Sequence, residues 1–248
     1  MKRVRFELPD GRGPWDGHVE SKVIHSEAGR FALEAVRLLA PCRPTKIVCV
    51  GRNYTAHADE LGHEVPKAPL LFLKPPSAII GPGEAIELPN DGEIHYEAEL
   101  AVVIGRRCRD VAASAWREVV LGYTCLNDVS DREAQAWETN WVRAKGFDTS
   151  APLGPWIVTA DDVDEPFRVG LRLNGETRQD ASTDAFLFGI GVLIETISAI
   201  MTLEPGDVIA TGTPAGVGRL APGDTVEVDI DKIGVLRNRV VRKEHGDG

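Results

Sequence analysis

Apolar positions along the chain cluster in short runs separated by turn-forming residues: KIVCVG, LLFLKP, AELAVVIG, VLGYTCLND, PWIVTA, RVGLRLNGE, DVIATG, DTVEVDID and GVLRNRVV. Runs of this length, rich in Val and Ile and bounded by Gly, Pro, Asn and Asp, predict β-strands. The Asn174-Gly175 pair between two such runs predicts a tight hairpin, and LEPGD (203–207) and LAPGD (220–224) each place Pro-Gly at the centre of a type II turn. Helical periodicity is confined to VAASAWREVVLG, SDREAQAWETNW and GVLIETISAIM. Many strands with few helices predict a mixed α/β, β-dominated sandwich or roll, and they do not fit a doubly wound sheet.

Two alternating segments, VRFEL and HVESKVI, flank the turn-rich PDGRGPWDG. Residues 1–45 therefore read as a small N-terminal β unit, residues 46–242 as the main domain, and 243–248 as a tail. Lys and Arg total 28 against 38 Asp and Glu, a formal charge of −10, which argues against nucleic acid or an anionic membrane as partner. Cys42, Cys49, Cys108 and Cys125 lack CxxC spacing and sit in or beside apolar runs, so they read as buried thiols. Neither an apolar leader nor a membrane-length run occurs in the sequence, and a reducing cytoplasm is the expected compartment.

The run HYEAELAVVIG places Glu97 and Glu99 at the mouth of an apolar strand, two positions apart and therefore on one face. Two readings stand: a solvated strand face carrying two acids, or a cation between them. Asp128, in CLNDVSDREAQ, leaves another apolar strand and offers a third carboxylate. Three oxygen donors suit a hard ion such as Mg²⁺ or Mn²⁺, with Ca²⁺ of the same class, whereas zinc spacing is absent. His95 shares the glutamates' parity and reads as a neighbour of the site rather than a ligand. Arg132 and Gln135, four and seven residues after Asp128, would share a face with it if that segment were helical. His57 and Glu60, three apart, would share a face of a helical turn. ATGTPAGVG (210–218) follows a strand, so backbone N–H groups around Gly212 and the Thr213 hydroxyl can approach an anionic oxygen.

Seven stretches in order, VGRNYTAHADELG, PLLFLKPPSAIIGPG, HYEAELAVVIGRR, NDVSDREAQ, KGFDTSAPLGPWIVTADD, LNGETRQD and MTLEPGDVIATGTPAGVG, resemble the fumarylacetoacetate hydrolase (FAH) superfamily across roughly residues 47–241. The resemblance implies an FAH-type mixed β-sandwich roll, a homodimer, and Mg²⁺ or Mn²⁺ held by Glu97, Glu99 and Asp128. It further implies His57 and Glu60 as a catalytic dyad, Lys145 and Gln135 as catalytic groups, and Arg132, Lys74, Gly212 and Thr213 as substrate-binding residues. Lys74 is divided between substrate contact and ion pairing. The family pattern departs at Asp131, where a small residue is usual, and at Glu133, where aspartate is usual, which puts the charge near the entrance in doubt.

The activity so implied is metal-dependent and acts on small anionic 2-oxo or 2,4-dioxo acids. Its outcome is acylpyruvase-like carbon–carbon hydrolysis, or decarboxylation through an enolate. Alternatives are 2-hydroxyhepta-2,4-diene-1,7-dioate isomerase or 5-oxopent-3-ene-1,2,5-tricarboxylate decarboxylase activity in aromatic catabolism. From another class, a non-catalytic metal-containing binding protein is opposed by the presence of His57, Glu60, Gln135 and Lys145.

Overall fold

The computed structural model describes residues 1–54 and 66–243. His57 and Glu60 lie outside the described residues. A long sheet of twelve strands carries the fold; along its main path run Gly29–Ala32, Val23–Ser26, Trp15–Glu20, Lys2–Glu7, Ala151–Thr159, Val120–Asn127, Ala98–Ile104, Val208–Ala210, Ile47–Gly51 and Leu70–Lys74. A second sheet is ordered Glu176–Ser182, Arg168–Leu173, Thr225–Ile230, Gly234–Arg242 and Ala85–Leu88. The first of its strand pairs turns at Asn174 and Gly175, both with positive φ (53° and 84°), the conformation a two-residue hairpin needs. Gly206 and Gly223 likewise carry the positive φ of a type II turn, closed by Asp207 N–H to Glu204 O and Asp224 N–H to Ala221 O.

The Ala98–Ile104 strand is buried on both faces, which is why its sequence lacks alternation. Leu100, Val102 and Ile104 join the larger core with Val169, Leu171, Val226 and Val228 of the second sheet and with Leu193, Ile194 and Ile197 of the Ile190–Ile200 helix. Ala101 and Val103 face a smaller core with Ile47, Cys49, Leu126 and Leu153. Glu97 and Glu99 have the parity of this second face. The N-terminal strands continue the same sheet, because Lys2–Glu7 pairs antiparallel with Ala151–Thr159.

Two helical expectations need correction. Of VAASAWREVVLG only Ala113–Glu118 turns, as a 3₁₀-helix, and Val120 begins a strand. Pairing decides it: Val120–Asn127 is central, bonded to Ala98–Ile104 on one side and Ala151–Thr159 on the other, and Gly122 lets the Val158 carbonyl approach where a Cβ would lie 2.0 Å away. SDREAQAWETNW is helical only over Arg132–Trp137, capped by Asp131, whose carboxylate accepts from Ala134 N–H at 2.9 Å. Asp128 is therefore outside the helix, and helical phase is not what brings it to Arg132 and Gln135.

Candidate active site

Four chain segments meet at one end of the long sheet. In the antiparallel ladder Ala98 opposes Asn127 and Glu99 opposes Leu126, so the chain entering one strand lies beside the chain leaving the other. Asp128 N–H donates to Glu97 O (2.9 Å), and Glu97 N–H donates to Asn127 Oδ1 (2.9 Å). Val208–Ala210 runs antiparallel to Ala98–Ile104 and parallel to Ile47–Gly51, which delivers Gly212 and Thr213 and also Arg52 to the same end.

Here Glu97, Glu99 and Asp128, at 5, 2 and 0 % exposure, bring one carboxylate oxygen each within 4.8 Å of one another. Cations of the chain meet them. Lys145 Nζ donates to Glu97 Oε2 (2.8 Å), Asp128 Oδ2 (2.7 Å) and Ser130 Oγ (2.6 Å). Lys74 Nζ donates to Asp128 Oδ1 (2.7 Å) and Val129 O (3.2 Å). Arg132 donates to Glu97 Oε1 (2.5 Å) and to Gln135 Oε1 (2.8 Å), its i+3 neighbour on the Arg132–Trp137 helix.

Burial works against the Lys145 charge, but Asp128 and Glu97 outweigh it and hold its pKa above the ordinary value. Lys145 is thus a cationic donor, not a base, at neutral pH. Glu99 is different: burial first, then the Asp128 and Glu97 charges, push its pKa well up, against Lys145 and the Gly212 N–H at 2.8 Å. An oxygen-only set with a surplus of buried negative potential at Glu99 fits a hard divalent cation. His95, drawn down by burial and by the Arg132 charge, interacts with Glu93 through Nε2 (3.3 Å) and is absent from the metal-sized cluster.

A cavity of ≈ 460 Å³ opens on the carboxylates. Arg132, Gln135, Lys145 and Thr213 line it together with Arg52, Phe72 and Trp141. Lys74 and Gly212 are not among its walls. Lys74 pairs with Asp128, so of its two expected roles the geometry shows ion pairing. The Gly212 N–H, expected to meet substrate, is spent on Glu99. Asp131 gives its charge to the helix cap and to Asn90 Nδ2 (2.8 Å) rather than to the entrance.

Some supporting residues escaped sequence reasoning. Gln179, buried in LNGETRQD, accepts from Ala98 N–H (2.9 Å) and donates to Thr213 Oγ1 (2.8 Å) and Pro214 O (2.8 Å), tying the glutamate strand to the TGTP segment. Asn127 and Ser130 flank Asp128 and fix its neighbours. Their signal was position: each lies within two residues of the aspartate. Arg52 carried one too, as a cation directly after an apolar strand.

A β-roll whose strand ends gather three buried carboxylates and a lysine into an open cavity defines an acidic site, able to hold a cation, on an FAH-type scaffold. The family model for the fumarylacetoacetate (FAA) hydrolase C-terminal domain matches residues 46–241, and the chain belongs to this family of enzymes. It is 40% identical over 237 residues to oxaloacetate tautomerase YisK of Bacillus subtilis, covering 89% of this chain and 79% of that one. Among solved structures it resembles 5-carboxymethyl-2-hydroxymuconate delta-isomerase from Mycobacterium smegmatis (47% identity, TM-score 0.90, 99% and 100% of the two chains). It also resembles maleylpyruvate hydrolase from Sphingobium sp. SYK-6 in complex with manganese(II) and pyruvate (34% identity, TM-score 0.85, 98% and 100%). No helix among the described residues is long and apolar enough to cross a membrane.

Proposed function

We propose that this enzyme acts on 2-oxo and 2,4-dioxo acids with the help of Mg²⁺ or Mn²⁺, and that it works through an enolate, ending in cleavage of a carbon–carbon bond. The observation that carries this reading is the convergence of Glu97, Glu99 and Asp128 with Lys145 on one cavity wall. Those three carboxylates would hold the ion, which when bound supplies Lewis-acid stabilisation of negative charge on a 2-oxo acid.

The chain's own residues do the rest. Lys145, kept protonated, donates to the oxygen on which enolate charge collects. Arg132 and Gln135, held to each other, orient the substrate carboxylate, and Thr213 offers its hydroxyl from the opposite segment. For a 2,4-dioxo acid, water adds to the distal carbonyl, the bond between the third and fourth carbons breaks, and its electron pair passes into the pyruvate enolate, which is then protonated. The base for water is assigned from the sequence to His57, with Glu60 as its partner. Decarboxylation of oxaloacetate reaches the same enolate.

A second reading, isomerisation or keto–enol tautomerisation without bond cleavage, is favoured by the names of the M. smegmatis and B. subtilis proteins, both more similar to this chain than the hydrolase is. Metal-replete and chelated protein incubated with acylpyruvates, oxaloacetate and a 2-hydroxy-dienedioate, followed by NMR, separates the two. Metal-dependent release of pyruvate supports cleavage; proton exchange or double-bond migration alone supports the second reading. No metal-dependent turnover of any of them defeats both. The resemblance also implies a homodimer, which sedimentation velocity tests directly.

A further inference from the structure

Among the described residues three cations line the cavity, and two of them are engaged: Arg132 with Glu97 and Lys145 with Glu97 and Asp128. Arg52 is not. Among the described residues its guanidinium has neither a hydrogen-bond nor an ion-pair partner, whereas Arg168 and Arg172, which do not line the cavity, each hold an acid. In a chain with ten more acids than bases, an arginine on the wall of a cavity with no acid partner among the described residues is unusual. It pairs with none of the three buried carboxylates, although it borders the same cavity.

Its backbone is unusual as well. Arg52 has φ 59°, the left-handed region that non-glycine residues avoid, and such positions persist where the surroundings impose them. Here the next residue does so. Asn53, fully buried, donates through Nδ2 to Thr211 O (2.8 Å) and Phe188 O (3.1 Å) and accepts from Phe188 N–H (2.8 Å), while its own carbonyl accepts from Leu187 N–H (2.8 Å). Thr211 precedes Gly212, which holds Glu99, and a Cβ at Gly212 would stand 2.8 Å from Asn53 Cβ. The Arg52 backbone is therefore fixed relative to the acidic cluster, which anchors the root of its side chain as a binding group requires. Val50, Phe72 and Trp141 add apolar surface to the same cavity, and ≈ 460 Å³ leaves room beyond a 2-oxo acid head.

We propose that Arg52 receives a second carboxylate on the substrate, separate from the one beside the oxo group, so that the enzyme selects 2-oxo diacids over monoacids of the same length. This rests on the functional reading above. A guanidinium matches a carboxylate bidentately, and no competing acid among the described residues has to be displaced from it.

The test compares a 2-oxo diacid with its distal monomethyl ester, using Mn²⁺-loaded wild type, Arg52→Gln, Arg52→Lys and Arg52→Gly, the last removing the side chain where glycine suits the backbone. Calorimetric binding of both compounds accompanies the kinetics. Arg52→Gln and Arg52→Gly are expected to lower kcat/KM for the diacid by roughly ten- to a hundredfold, mainly through KM, with the ester unchanged. Arg52→Lys recovers part of the loss. Equal effects on diacid and ester, or no effect on the diacid, overturn the proposal. If wild type turns over neither compound, the functional reading fails, and calorimetry still decides: diacid affinity must fall selectively in the Arg52 variants, and an unselective or absent change refutes the role.

Discussion

Glu97, Glu99 and Asp128 coexist in the folded chain because Lys74, Lys145 and Arg132 reach them, three charges against three. The compensation is uneven: Asp128 has two lysines, Glu97 a lysine and an arginine, and Glu99 the Gly212 N–H. Lys74→Met leaves Asp128 to Lys145 alone, with Asp128 Oδ1 and the Val129 carbonyl short of a donor, and should cost about 1–3 kcal/mol in urea or guanidinium unfolding even though Lys74 is not itself a cavity wall. Unchanged stability would show that Asp128 does not depend on it. Glu99→Gln should behave oppositely in metal-free protein, at least matching wild-type stability, while lowering Mn²⁺ affinity by at least about a hundredfold and abolishing turnover. Calorimetric titration together with a denaturation curve checks both halves. The glutamate pair and Asp128 were legible in the sequence because acids at the ends of apolar strands stand out against their neighbours. The acceptors of Lys74 and of the Gly212 N–H were not legible, because a sequence shows that a cation or a backbone N–H is near a site, but not which acceptor it serves.

The site is a meeting of strand ends, so elements that set register also set chemistry. Asp207 opens the strand that leads to Thr211, Gly212 and Thr213, and accepts from Thr45 N–H and Oγ1 (both 2.8 Å), Lys46 N–H (3.2 Å) and Glu204 N–H (2.8 Å), with Lys46 Nζ close by. Burial alone would raise its pKa, but these donors outweigh it and hold the carboxyl below the usual range. The folded value lies below the unfolded one, near 3.9. The stability so gained is present above that unfolded value and is lost as pH falls through the folded one. Asp207→Asn should therefore cost about 1–3 kcal/mol at neutral pH and flatten the acid limb of the stability–pH curve. An unchanged limb would show that Asp207 does not anchor the strand. Gly212→Ala places a Cβ 2.8 Å from Asn53 Cβ and 3.0 Å from Val50 O at φ 99°, and should lower both stability and metal affinity by shifting the N–H that Glu99 uses. Turn chemistry made the hairpin at Asn174-Gly175 and the two Pro-Gly turns readable. Helix lengths in VAASAWREVVLG and SDREAQAWETNW were not, because central strand pairing and the Asp131 cap, both tertiary facts, override local periodicity.

Across the whole molecule, one long sheet runs from the N-terminal strands to the site and a second closes the core over it. The β-dominated roll could be foreseen from short, punctuated apolar runs. The continuity of residues 1–45 with the body could not, since pairing of Lys2–Glu7 with Ala151–Thr159 joins segments about 150 positions apart in sequence and leaves no local trace. A folded state that binds a divalent ion gains stability by mass action. At about a hundredfold excess over Kd the gain is about 2.7 kcal/mol, or about 5–10 °C in Tm for a chain of this size, and EDTA should reverse it. The central claim, that the three carboxylates form one cation site facing the substrate cavity, is tested most directly by anomalous diffraction from crystals of the protein soaked in Mn²⁺. The account predicts a single strong peak in contact with oxygens of Glu97, Glu99 and Asp128. A Mn²⁺ peak elsewhere, with none in contact with these carboxylates, would contradict it.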